Sequence, residues 1–98
     1  MPNQEQQQQI QVKITDEILK GAYANAMTVS HTKEEFILDF LNLFPPQGIV
    51  GARVIMSPGH LKRVVSALAD NLKKYEDNFG KIEESKEPEK TIGFHDRK

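Results

Sequence analysis

The chain contains no cysteine and no tryptophan among its 98 residues. Without cysteine, a disulfide frame and thiolate metal sites are excluded, and a cytoplasmic protein is the natural expectation. No apolar run approaches the roughly 20 residues of a membrane span, so a membrane partner is not expected. Charge of one sign is also missing: the formal net charge is −1, and Lys and Arg form no single basic run. Composition therefore offers no push towards nucleic acid or acidic lipid. Hydrophobic residues make up 38%, below the globular average, so part of the chain is expected not to pack. The opening MPNQEQQQQ has neither a basic n-region nor an apolar h-region, so it does not read as a signal peptide.

What is present centres on Glu34 to Pro58, EEFILDFLNLFPPQGIVGARVIMSP. Two runs rich in β-branched and aromatic residues flank Pro45-Pro46-Gln47-Gly48, which predicts a β-hairpin in the middle of an antiparallel sheet. Phe36, Leu38, Phe40 and Phe44 share one parity, and Ile37, Leu41 and Leu43 share the other. Side chains alternate across a strand, so both faces are apolar. Strict alternation in the return run puts Val50, Val54 and Met56 on one side and Ile49, Arg53 and Ile55 on the other. The prolines cannot donate to a ladder and end the first strand; Gly48 suits a positive φ at the end of the turn.

Before this hairpin, residues 1–9 read as a disordered Gln-rich arm. Ile10, Val12 and Ile14 alternate with polar residues and predict an edge strand with one wet face. Residues 15–21 fit either one helical turn, capped by Thr15 or Asp16 and stopped by Gly21, or a wide turn. Ala22 to Ser30 reads as a strand, with a turn at Ser30-His31-Thr32-Lys33. After the hairpin, Ser57 suits an N-cap and Pro58 the first helical position. A helix to about Phe79 follows, with Leu61, Val64, Val65, Leu68, Leu72, Tyr75 and Phe79 in one narrow apolar stripe and Gly80 as its stop. The stripe is expected to dock on the sheet or on another helix. Residues 81–98 balance their charges and read as a disordered tail, with Ile82 packing just past the helix end and Ile92 and Phe94 the only later docking candidates.

The expected fold is thus α+β: an antiparallel sheet of about four strands in β-β-β-β-α order, one long C-terminal amphipathic helix, and a single domain over 10–80. One helix covers one face of such a sheet and leaves the other bare. A homodimer joined by sheet faces, sheet edges or helices is the expected remedy.

Candidate chemistry is sparse. His31, His60 and His95 stand at no metal-ligand spacing, and no metal or cofactor is expected. Asp39 interrupts an apolar strand and needs a partner; Arg53 on the return strand is the nearest candidate, provided the register brings them to one face. An ion pair is the plainer reading, and a general acid or base the functional one. Ser57-Pro58-Gly59-His60-Leu61-Lys62-Arg63 is the best lead for anion or partner binding: a helix N-terminus offers free N–H groups, Gly59 allows close approach, and Lys62 and Arg63 add charge. The plainer reading there is a capped helix with two surface cations.

Tyr23 and Asn25, Ser30 to Thr32, Phe36 to Phe40, Pro45 and Pro46, Ser57 and Pro58, and Tyr75 to Gly80 form a Tyr-x-Asn … Ser-His-Thr … Phe-x-Leu-Asp-Phe … Ser-Pro … Tyr-Glu-x-x-Phe-Gly pattern. Across about residues 10 to 82 the chain resembles a family of small bacterial and archaeal proteins catalogued only as a domain of unknown function. The resemblance implies no activity, ligand or catalytic residue. The leading expectation is a non-enzymatic homodimeric binding or adaptor domain with an unidentified protein partner. The alternative is a single-stranded nucleic-acid regulator using Arg53, Lys62, Arg63 and exposed aromatics. A second alternative is a small enzyme with Asp39 and His31 at a dimer interface.

Overall fold

The computed structural model describes residues 8–86. The Gln-rich arm up to residue 7 and the tail from residue 87, with Ile92, Phe94 and His95, lie outside the described residues. The elements run α1 (Asp16–Leu19), β1 (Ala26–His31), β2 (Phe36–Phe44), β3 (Gln47–Met56) and α2 (Pro58–Phe79). The chain is α+β, and its antiparallel sheet has three strands in the order β1-β2-β3.

Three strands replace the expected four. Ile10–Ile14 is not a strand, and Ile10, Val12 and Ile14 are 84%, 87% and 58% exposed. Alternation specifies a face but supplies no neighbouring edge, and a strand without a ladder partner leaves its backbone to water. The hairpin is consequently not the middle of the sheet: β2 is central and β3 is an edge. Residues 15–21 settle as a helical turn. The Thr15 hydroxyl accepts from the Ile18 N–H, and Gly21, at φ 80°, turns the chain away.

β1 starts at Ala26, later than expected, because Asn25 changes the nature of the pairing. Its backbone N–H donates to Leu41 O at 2.9 Å. Its side chain then does what the next strand residue would do: Nδ2 donates to Leu43 O at 3.0 Å, and Oδ1 accepts from Leu43 N at 2.9 Å. One amide side chain thus extends the ladder while the backbone departs. At the other end, Thr32 Oγ1 accepts from Glu34 N and Glu35 N and holds the turn into β2.

Pro45 and Pro46 are the two central residues of the β2–β3 turn, joined by a cis bond, with Phe44 paired to Gln47. Gly48 does not adopt a positive φ. A Cβ there would stand 2.7 Å from Leu43 Cδ2, the end of a flexible side chain that can turn aside. The strict alternation expected in β3 also fails. Phe40 pairs with Ala52 and Leu41 with Val50, so Gly51 is an extra residue, a β-bulge. The bulge transfers Val50 to the face of Arg53 and Ile55, and Ile49 to that of Val54 and Met56.

The core is thin and central. Leu38, Asp39 and Leu41 on β2 are buried, because β2 alone has a strand on each side. The long helix starts and stops where expected: Ser57 Oγ accepts from His60 N, and Gly80, at φ 99°, donates its N–H to Glu76 O. It does not roof the sheet. No α2 residue is buried, and only Leu61, Val64 and Glu76 are partly covered.

Candidate interaction surface

Because paired residues of neighbouring strands share a face, the register sorts the sheet into two surfaces. One carries Met27, Val29 and His31 beside Phe36, Leu38 and Phe40, with Ala52, Val54 and Met56 on β3. His31 stacks across the strands on Phe36 at a ring-centroid distance of 5.1 Å. The other carries Ala26, Thr28 and Ser30 beside Ile37, Asp39 and Leu41, with Val50, Arg53 and Ile55.

Asp39 and Arg53 stand directly opposite each other on that second face. Arg53 Nε donates to Asp39 Oδ1 at 2.7 Å, and a terminal guanidinium nitrogen donates to Oδ2 at 2.9 Å. The fork matches the carboxylate, so both oxygens are occupied. Asp39 lies low among small β1 side chains, and Arg53 spreads over it at the surface. These hydrogen bonds hold the Asp39 carboxyl below its usual range; burial pushes the other way, and the Arg53 charge adds to the lowering. The same contacts raise Arg53. A carboxylate so held is poorly suited to move protons. His31 is on the opposite face, so the sheet does not bring those two residues into one site.

At the start of α2, the residues singled out for anion or partner binding are partly engaged with one another. A terminal guanidinium nitrogen of Arg63 lies 2.9 Å from His60 Nδ1. Ser57 is occupied as the cap. Nothing lies within 4 Å of a Cβ placed on Gly59, so that side is open. Lys62 has no ion-pair partner among the described residues. Among the described residues, no group of three or more His, Asp or Glu is arranged to hold a metal ion.

The α2 stripe is exposed along its length. Val65, Leu68, Leu72, Tyr75 and Phe79 are all about half exposed or more, reaching 74% at Phe79. Tyr75 and Phe79 pack on each other one turn apart at 4.9 Å. A row of large apolar side chains of this length is unusual on a free surface and marks interaction. Sequence reasoning identified the stripe but missed the Asn25 clamp and the Gly51 bulge. A glycine inside a strand pattern signals a bulge; an Asn just before a strand has no comparably specific signal.

Fold and surface together define a small α+β module, a three-stranded antiparallel ribbon followed by a long amphipathic helix. The chain belongs to the family described as protein of unknown function (DUF3467), whose profile matches residues 1–84. No curated protein and no solved structure matches the chain. Among the described residues, no helix is long and apolar enough to cross a membrane.

Proposed function

We propose that the chain is a non-enzymatic homodimeric binding module, an adaptor for a protein partner. The observation that carries this reading is the bare α2 stripe. Its backbone is fully formed and capped, yet its apolar row has no cover within the described chain. Folding leaves such a row in water only at a cost of about 25 cal/mol per Å² of apolar surface not buried, and association removes that cost. The exposed apolar residues on both sheet faces, including Val29, Val54 and Ile55, then remain for a partner.

Sedimentation equilibrium across the micromolar range tests the dimer. A mass near twice that of the 11.1 kDa chain is expected, and a monomer throughout would overturn the reading.

The nucleic-acid alternative has less support. Two of its three cations, Arg53 and Arg63, already have partners within the chain, and phosphate binding rewards free basic side chains in a stripe. Fluorescence anisotropy with single-stranded oligonucleotides separates the two: salt-sensitive binding favours the alternative. Within one chain Asp39 and His31 lie on opposite faces of the sheet, so the enzyme alternative would need a second copy to bring them together.

A further inference from the structure

The spacing of the α2 stripe carries more information than its exposure. Leu61, Val65, Leu68, Leu72, Tyr75 and Phe79 are separated by four, three, four, three and four residues. That is the heptad pattern of a helix–helix seam, narrower than the stripe of a helix lying on a sheet. The first, third and fifth take d positions, and the others take a positions. The matching surface is another helix of the same kind, and α2 is the one long helix among the described residues.

Resting on the homodimer reading, we infer that two copies of α2 pair as an antiparallel coiled coil, with the twofold axis level with Asp70. In an antiparallel pair each a residue meets a d residue. This axis sets Val65 against Tyr75 of the second copy, Leu72 against Leu68, and Phe79 against Leu61. In the outer layers a large ring meets a smaller aliphatic side chain, so the seam keeps an even width. Leu61 is half-covered by its own chain, so the four inner positions carry most of the contact.

The flanking positions choose the direction. The e positions are Lys62, Ala69 and Glu76. Antiparallel pairing brings Lys62 of each copy beside Glu76 of the other, giving two opposite-charge pairs, and puts Ala69 against Ala69 at the axis, where a small side chain lets the helices approach. Lys62 has no ion-pair partner in its own chain among the described residues. Glu76 uses Oε2 to accept from Ile82 N, leaving Oε1 for the lysine. A parallel pair would stack Phe79 on Phe79 and Tyr75 on Tyr75 at one end. It would also offer no opposite-charge pair, because the g positions are Val64, Asn71 and Asn78.

The absence of cysteine makes the test direct, because each introduced thiol is the only one in its chain. Val65→Cys and Tyr75→Cys variants, mixed and oxidised, are expected to form a cross-linked heterodimer, while neither cross-links alone. In an antiparallel pair of Val65→Cys chains the two thiols lie about 15 Å apart along the axis, too far for a disulfide. As an independent surface test, Lys62→Glu is expected to weaken the dimer about tenfold by turning two attractions into repulsions, and Lys62→Glu with Glu76→Lys to restore it. Cross-linking of Val65→Cys with itself would show a parallel pair. A wild-type dimer with no cross-link and no response to charge reversal would show another interface. Either result overturns the helix pairing and leaves the homodimer standing, whereas a monomeric wild type sinks both.

Discussion

In the sheet, polar groups with awkward positions find partners in the same chain: Asn25 completes the ladder to Leu43, and Arg53 clasps Asp39 with two bonds. In α2, the polar side is equally complete, with Ser57 and Gly80 closing the helix ends, but the apolar side is open from Val65 to Phe79. The two regions differ in which kind of need a single chain meets. Hydrogen bonds are directional and local, so a nearby residue satisfies them. Apolar burial needs a second surface of matching extent, and a three-stranded ribbon does not spare one for a 22-residue helix. Within the described chain the sheet meets its polar needs, while the apolar row of the helix stays open.

Equal truncations in the two regions break the symmetry most visibly. Leu41→Ala removes the most buried side chain of β2 and is expected to cost about 2–4 kcal/mol by urea denaturation. Leu72→Ala, the same chemical change on α2, is expected to cost under ~0.5 kcal/mol in dilute solution where the chain is monomeric. Similar losses at both sites would show that the helix stripe is covered by its own chain.

Asn25→Ala sharpens the account of the sheet. It leaves the Leu43 N–H and C=O without their partners, and an expected loss of about 1–3 kcal/mol follows. Amide hydrogen exchange at Leu43 should accelerate more than at residue 25, whose own N–H keeps its bond to Leu41 O.

Ser57→Ala probes the helix by itself. Loss of the cap to His60 is expected to lower stability by about 1 kcal/mol, read as lost helical circular dichroism on heating, without altering the β2–β3 pairing.

The smallest expected effect is the pH dependence of the Asp39–Arg53 pair, because Arg53 stays largely in water. The folded state lowers the Asp39 pKa, chiefly through the Arg53 hydrogen bonds. Its contribution is therefore complete above the ordinary carboxylate range and disappears as pH falls through the lower folded value. Asp39→Asn should be less stable than the parent at neutral pH, and the gap should close in acid. A constant gap would mean that the pair does not titrate as described.

Much of this was legible in the sequence. The α+β class, the hairpin at Pro45-Pro46 and both ends of the long helix follow from β-branched runs, proline and capping residues, which act within a few positions along the chain. The Val50 and Ile49 assignments were not legible under strict alternation, because one bulged residue at Gly51 reverses the parity of everything beyond it. The apparent fourth strand at Ile10–Ile14 misled for a related reason, since a periodic pattern carries no information about whether an edge is within reach.

By itself, then, the sequence determined which segments are strand-like or helical and which helix face is apolar, since these depend on neighbouring residues. Tertiary structure alone decided that β2 is the centre, that Asp39 meets Arg53 while His31 looks the other way, and that α2 stands clear of the sheet. Those outcomes depend on register and on which surfaces meet in space, and both are properties of distant residues acting together.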